Sequence, residues 1–165
     1  TLNGFQLQAE DMMGVLDKLV ALDNSYASSV GEISAAMQRS ANSANVAGVS
    51  LTELASMITV ISSVTRKSAE SIGESLKTVF ARMQSVTAGK DIDEFGESIN
   101  DVEKTLGKFG IILRDSPTSF KPLGIVIDEI AGKWDNLTNV EKSQISTVVA
   151  GKYYARTYGD IWTIL

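Results

Sequence analysis

The chain has 165 residues, a formal net charge of −5, and neither histidine nor cysteine. Without a thiol or an imidazole it has no disulfide, no thiolate metal site, no cysteine nucleophile and no histidine general base. The acidic balance disfavours direct nucleic-acid binding, because neutralising phosphates requires a positive patch. The hydrophobic fraction of 44% is enough for a core, whereas no aliphatic run approaches the roughly 20 residues of a membrane-spanning helix.

The first 46 residues predict an N-terminal helical arm. Apolar residues at helical spacing predict one helix over about 5–23, and a second helix, rich in alanine and serine, over about 29–46. Ser29 and Glu32 fit a capping box at the start of the second helix. Small side chains allow close helix approach but bury little apolar surface, so we expect this arm to need a partner, in another chain or in the rest of its own.

Residues 48–83 predict two consecutive helices. Ser50 and Glu53 form a capping box, in which the hydroxyl and the carboxylate each satisfy a backbone amide of the first turn. An apolar stripe follows to Thr65, and a second one runs from Ile72 to Met83. Because the joint at 65–68 is short, we expect the two helices to form a helical hairpin.

The second half of the chain predicts further helices around one extended segment. A helix over about 95–109 is followed by Gly110, which is well placed to end it. Residues 111–119 read as extended, and a helix begins near Pro122, with the proline in its first turn. Thr138 and Glu141 form another capping box, which opens a helix to about 150.

Together these elements predict an all-α fold, a multi-helix bundle of six to eight helices with helical hairpins and a short extended segment near 111–119. We expect two parts, an N-terminal helical arm at 1–46 and a helical core segment at 47–165. The chain lacks an initiator methionine and has an apolar ending at 161–165, so we interpret it as a fragment of a longer polypeptide.

One glutamate suggests an alternative hypothesis, in which the protein is an enzyme. Glu74 precedes Ser75, and this pair faintly resembles the catalytic pair of lytic transglycosylases, which cleave peptidoglycan. Such a general acid requires an apolar cleft that raises its pKa. Glu74 instead lies opposite the apolar face of its helix, and the glycine and leucine of the transglycosylase motif are missing. We therefore interpret it as a solvated side chain and predict no catalytic residue and no enzyme.

Two other patterns have equally ordinary explanations. Gly151-Lys152 lacks the rest of a P-loop, so a helix stop explains it better than phosphate binding. An acidic cluster could hold a hard cation, but it lacks the calcium-loop pattern and fits the acidic first turn of a helix. We predict no metal and no cofactor. The cluster comprises Asp91, Asp93, Glu94 and Glu97.

Aromatic residues concentrate near the end of the chain. They form a candidate interaction surface, because Trp and Tyr dominate the hot spots of protein interfaces. The alternative, which we favour, is a structural role in the core or in docking a continuation of the chain. These residues are Trp134, Tyr153, Tyr154, Tyr158 and Trp162.

Five sequence blocks follow one another in a fixed order, at residues 47–55, 72–82, 106–115, 120–134 and 150–155. The first contains GVSLTELA, the third reads LGKFGIILRD and the fourth reads FKPLGIVIDEIAGKW. No single block is specific, but the ordered set resembles the core region of bacteriophage tail tape measure proteins. Residues 1–46 match only in being helical and rich in alanine and serine.

The resemblance implies a structural role in a phage or prophage tail. Proteins of that family lie inside the tail tube, their length sets the tube length during assembly, and they leave ahead of the DNA at ejection. It implies contact with the tail tube protein and with tail assembly chaperones, in the virion tail and, during assembly, in the host cytoplasm. Separately, we expect the chain to self-associate. A generic helical adaptor of a cellular complex is the remaining alternative.

Overall fold

The computed structural model describes Gly14 and residues 30–65, 67–84 and 100–158. Within these residues six helices and one two-stranded antiparallel sheet are present, which confirms the predicted all-α class and the short extended segment. The elements are α1 (Val30–Val46), α2 (Leu51–Thr65), α3 (Ala69–Met83), α4 (Asp101–Lys108), β1 (Arg114–Ser116), β2 (Ser119–Phe120), α5 (Leu123–Trp134) and α6 (Asn139–Tyr158). Apart from Gly14, the helix predicted at 5–23 lies outside the described residues, as does the cap residue Ser29.

The chain divides into two compact units, one that ends at Lys77 and one that begins at Thr78. Much of the predicted arm at 1–46 lies outside the described residues, so the boundary at residue 46 stays a prediction. In the part of the chain that is described, no helix is long and apolar enough to cross a lipid bilayer.

A four-residue junction, from Ala47 to Ser50, separates α1 from α2. Gly48 adopts φ 72°, a left-handed conformation that glycine takes without a Cβ penalty. The amide of Val49 donates to the carbonyl of Ala44 at 2.9 Å and that of Gly48 donates to Asn45 at 3.1 Å, which is the hydrogen-bond pair of a Schellman motif. The next residue, Ser50, already caps α2, so only four residues separate the end of one helix from the start of the next.

The partner that α1 was expected to need is in its own chain. Among the described helices of this unit, α1 and α2 make the most extensive backbone contact, whereas the hairpin prediction paired α2 with α3. Small side chains on α1 permit this approach. The completely or almost completely buried residues of α1 are Ile33, Ala36, Met37, Ser40, Ala41 and Ala44.

Helix α3 also lies very close to α1. A Cβ added at Gly73 would sit 2.5 Å from the Ala36 carbonyl oxygen and 2.7 Å from the Cβ of Arg39. Real Cβ atoms do not approach other atoms so closely, so only glycine fits at this point of the interface. The packing of α3 on α1 therefore requires glycine, which has no Cβ, at residue 73.

In the second unit α4 packs against α6. The predicted start of α4 near residue 95 is wrong, since Asn100 is extended, with φ −72° and ψ 115°, and serves as the N-cap. Its side-chain oxygen accepts from the amides of Val102 at 2.9 Å and Glu103 at 3.1 Å. Gly110 ends the helix as predicted, with φ 71°.

Helix α5 contributes more buried hydrophobic residues to this unit than any other described element. It begins at Leu123, with Pro122 as the N-cap instead of in the first turn as predicted. Its apolar residues face inward, and residues from α3, α4, the segment before α5 and α6 complete the core. The buried hydrophobic residues are Leu123, Val126, Ile127, Ile130 and Trp134 on α5, with Val79, Phe80, Met83, Val102, Leu106, Ile111, Leu113, Ile145, Val149 and Ala150.

Candidate functional site

Two of the three predicted capping boxes lie within the described residues and have the hydrogen bonds of that motif. The amide of Ser50 donates to Glu53 Oε2 at 2.7 Å, and the amide of Glu53 donates to Ser50 Oγ at 3.2 Å. At the start of α6, the amide and the hydroxyl of Thr138 both donate to Glu141 Oε2, at 2.7 and 2.8 Å. The Glu141 amide donates back to Thr138 Oγ1 at 3.3 Å. These residues fix helix starts.

The second capping box also affects an ionisable group. The backbone hydrogen bond from Thr138, followed by the bond from its hydroxyl, lowers the pKa of Glu141 below its ordinary value. Hydrogen bonds to a carboxylate favour its charged form. The charge also lies in the first turn of α6, where it complements the helix dipole.

The aromatic residues do not gather into one described surface. Trp134 is 2% exposed, so the structure places it in the core and not on an interaction surface. The ammonium group of Lys142 lies over its ring, 5.7 Å from the centroid. Tyr153, Tyr154 and Tyr158 lie on α6 beyond Gly151, where only the backbone is described. Trp162 lies outside the described residues, as does the acidic cluster at 91–97.

Glu74 lies in a charged and partly exposed environment. Its side chain is 41% exposed, with Oε1 3.2 Å from Arg39 Nη1 and Oε2 3.7 Å from Lys77 Nζ. Two cations lie beside this carboxylate, whereas a glycosidic general acid requires an apolar cleft. The surroundings of Glu74 are therefore those of a helix-bridging ion pair.

An ion pair joins the β-hairpin to α4 and was not predicted from the sequence. Arg114 Nε donates to both carboxylate oxygens of Glu103, at 2.9 and 3.1 Å, and their side chains are only 12% and 17% exposed. Arg114 Nη1 donates to the carbonyl of Pro117 at 3.1 Å, and its guanidinium lies 5.0 Å from the centroid of the Phe120 ring. Arg114 thus joins both strands to α4. Helical periodicity cannot indicate this pair, because its members lie on different elements.

A hydrogen bond between α3 and α6 was also not predicted from the sequence. Arg82, in the last turn of α3, donates from Nε to the carbonyl of Val148 at 3.0 Å, 66 residues away. Val148 lies in the last turn of α6 before Gly151, whose φ of 76° and ψ of 160° interrupt the helix. The carbonyls of a last turn have no partner within their own helix. Arg82 supplies one, and Gly151 is a helix stop as predicted.

Taken together, the described residues define an all-α protein in which charged and polar side chains end helices and join neighbouring elements. The chain belongs to the family of phage-related minor tail proteins, which matches residues 1–151. It is accordingly a structural component of a phage tail. No solved structure matches the chain.

Proposed function

We propose that the chain is a segment of the tail tape measure protein, the component that sets the length of the tail tube. The observation that supports this proposal is that three of the five ordered blocks of the resemblance lie at junctions of the fold. The block at 47–55 holds the Gly48 stop and the Ser50 cap, and the block at 106–115 holds Gly110 and Arg114. The block at 150–155 begins at the break of α6. These three blocks thus contain residues that end or begin helices.

The proposed mechanism is helix packing without catalysis. The chain would act through contacts with the tail tube protein, with tail assembly chaperones and with further copies of itself, inside the tube and, before that, in the host cytoplasm. The surroundings of Glu74 support a role without hydrolysis, because two cations face its carboxylate. The segment would leave the tube ahead of the DNA at ejection.

Tail length measured by electron microscopy tests the ruler role. In-frame deletions are made in a long helical part of the parent gene, outside the 165 residues of this chain. If that part is one extended helix, each residue removed shortens the tube by about 1.5 Å, so 60 residues remove about 90 Å. The control replaces the same 60 residues with an unrelated helical sequence of equal length, which should restore tail length. Tails of unchanged length in the deletion phage would contradict the proposal.

A peptidoglycan-clearing assay tests the absence of hydrolysis. We expect neither the wild-type chain nor the Glu74→Gln variant to clear a peptidoglycan suspension. Clearing by the wild type that is lost in Glu74→Gln would instead support the enzymatic alternative. Both proteins should give the same helical circular dichroism, since the side chain of Glu74 is partly exposed.

A further inference from the structure

A polar groove of about 600 Å³ lies in the second unit. Two of its lining residues come from α4 and lie three positions apart, on one face of that helix. Others lie on α6 at spacings of three and four, and Arg82 and Gly151 complete the lining. The lining residues are Arg82, Thr105, Lys108, Ser143, Gln144, Thr147, Val148 and Gly151.

The charge of this groove is opposite to that of the whole chain. Its described lining contains two cations, three hydroxyls and one amide, with no carboxylate among these residues. The chain as a whole carries 20 acidic against 15 basic side chains. A local positive groove on an acidic protein attracts anionic groups.

Arg82 is held in place for such a contact. Its Nε is fixed by the carbonyl of Val148 at 3.0 Å, so the guanidinium is oriented before any ligand arrives. Its Nη1 and Nη2 atoms make no hydrogen bond within the described part of the chain. A fixed guanidinium can bind a carboxylate with less loss of conformational entropy than a free one. The ammonium group of exposed Lys108 adds a second, movable charge.

We infer that this groove binds an acidic segment of a partner protein, with Arg82 and Lys108 on its carboxylates and the hydroxyls of Thr105, Ser143 and Thr147 on its backbone. The volume lies within the 300–1,000 Å³ of typical ligand pockets, which suits a few residues of extended peptide. Two cations are too few for a nucleic acid on a chain of net charge −5, because affinity for a polyanion grows with each phosphate neutralised. The inference does not depend on the ruler role.

Fluorescence anisotropy with the whole chain tests the groove. The probe is a fluorescein-labelled peptide of alternating glutamate and glycine, and the control peptide has glutamine in place of glutamate. We expect saturable binding of the acidic probe that weakens as sodium chloride rises from 50 to 500 mM, because exposed charges are screened. Lys108→Gln should weaken binding about fivefold, and Ser143→Glu should abolish it by placing a carboxylate in the groove.

Lys104→Gln is the matched control. Lys104 is exposed on α4 and does not line the groove, so its loss removes the same charge from the same helix. We expect binding to stay within twofold of wild type. If Lys104→Gln and Lys108→Gln weakened binding of the probe equally, the inference would be overturned, because the peptide would then respond only to the overall charge of the chain and not to this groove. Absence of binding at millimolar probe, or tighter binding of a single-stranded oligonucleotide than of the peptide, would also overturn it.

Discussion

Gly151 occupies a region of backbone space that L side chains rarely enter, with φ 76° and ψ 160°. An added Cβ would meet the guanidinium of Arg82 at 3.7–3.9 Å, which is ordinary van der Waals contact. The expected effect of Gly151→Ala therefore arises from the backbone and not from a clash. We predict a loss of about 1–3 kcal/mol in the free energy of unfolding, measured by urea denaturation.

Gly132→Ala is the control for that substitution. Gly132 lies inside α5, is exposed, and has no atom within 4 Å of an added Cβ. Alanine is a better helix former than glycine, so this variant should gain about 0.5–1 kcal/mol. If both alanine variants changed stability in the same direction, the strain assigned to Gly151 would be wrong.

The lowered pKa of Glu141 predicts a pH dependence. A carboxyl group whose pKa is lower in the folded state stabilises the fold above its unfolded pKa, and the contribution is lost as the pH falls through the folded pKa. The urea midpoint should therefore decrease as the pH is lowered from 6 to 3, in part because Glu141 becomes protonated. Glu141→Gln keeps a side-chain oxygen that can accept from Thr138, so it should reduce this decrease without removing the cap. An identical pH profile for both proteins would contradict the assignment.

At the level of the helices, the approach of α3 to α1 is set by one missing side chain. A Cβ at Gly73 would lie 2.5 Å from the backbone oxygen of Ala36, so the two helices must move apart. Overpacking of this kind costs about 1–3 kcal/mol. We predict that Gly73→Ala lowers the urea midpoint. Gly107→Ala, at an exposed position of α4 with no atom within 4 Å of the new Cβ, should not lower it.

We expect the ion pairs of the two units to contribute differently to the free energy of unfolding. Glu103→Gln removes the carboxylate that faces the almost buried Arg114 guanidinium, so we predict a loss of about 2–4 kcal/mol. Arg39→Gln breaks the Arg39–Glu74 pair, whose side chains are 52% and 41% exposed, and should lower stability by at most about 1 kcal/mol. Thermal unfolding of both variants measures the difference. A smaller loss for Glu103→Gln than for Arg39→Gln would contradict this ranking.

Across the whole molecule, sequence reasoning succeeded where the signal is local. The Ser50 and Thr138 caps each depend on residues three positions apart, and the stop at Gly110 depends on one residue. Asn100 was missed although Glu103 follows it at capping-box spacing, because the apolar stripe before it suggested a continuous helix. With Asn100 recognised as an N-cap, the start of α4 would have been predicted correctly.

Long-range contacts could not be predicted from this one sequence. Arg82 meets Val148 across 66 residues, and Gly73 meets Ala36 on another helix. Neither contact leaves a periodic pattern, since each depends on how helices cross. Trp134 is a partial exception: the sequence favoured a structural role over an interaction surface, and the packing of α5 shows that this side chain is buried.

The position of three of the five blocks at fold junctions predicts a property of the whole family. Glycine is required at residues 48, 110 and 151 by positive φ angles, so other family members aligned on these blocks should have glycine at the same three positions. Exposed residues of the same blocks, such as Thr52 and Ile125, should vary more freely. Frequent β-branched residues at the three glycine positions would show that relatives end these helices differently.

The junction at Gly48, Val49 and Ser50 has a consequence for how such chains can change in size. Termination of α1 and initiation of α2 are both encoded within these three neighbouring residues and the helix turns beside them. Whole turns could therefore be inserted into either helix, at a distance from the junction, without altering the corner between them. A lineage of phages could lengthen these helices by duplicating helical turns while the junction between α1 and α2 stays unchanged.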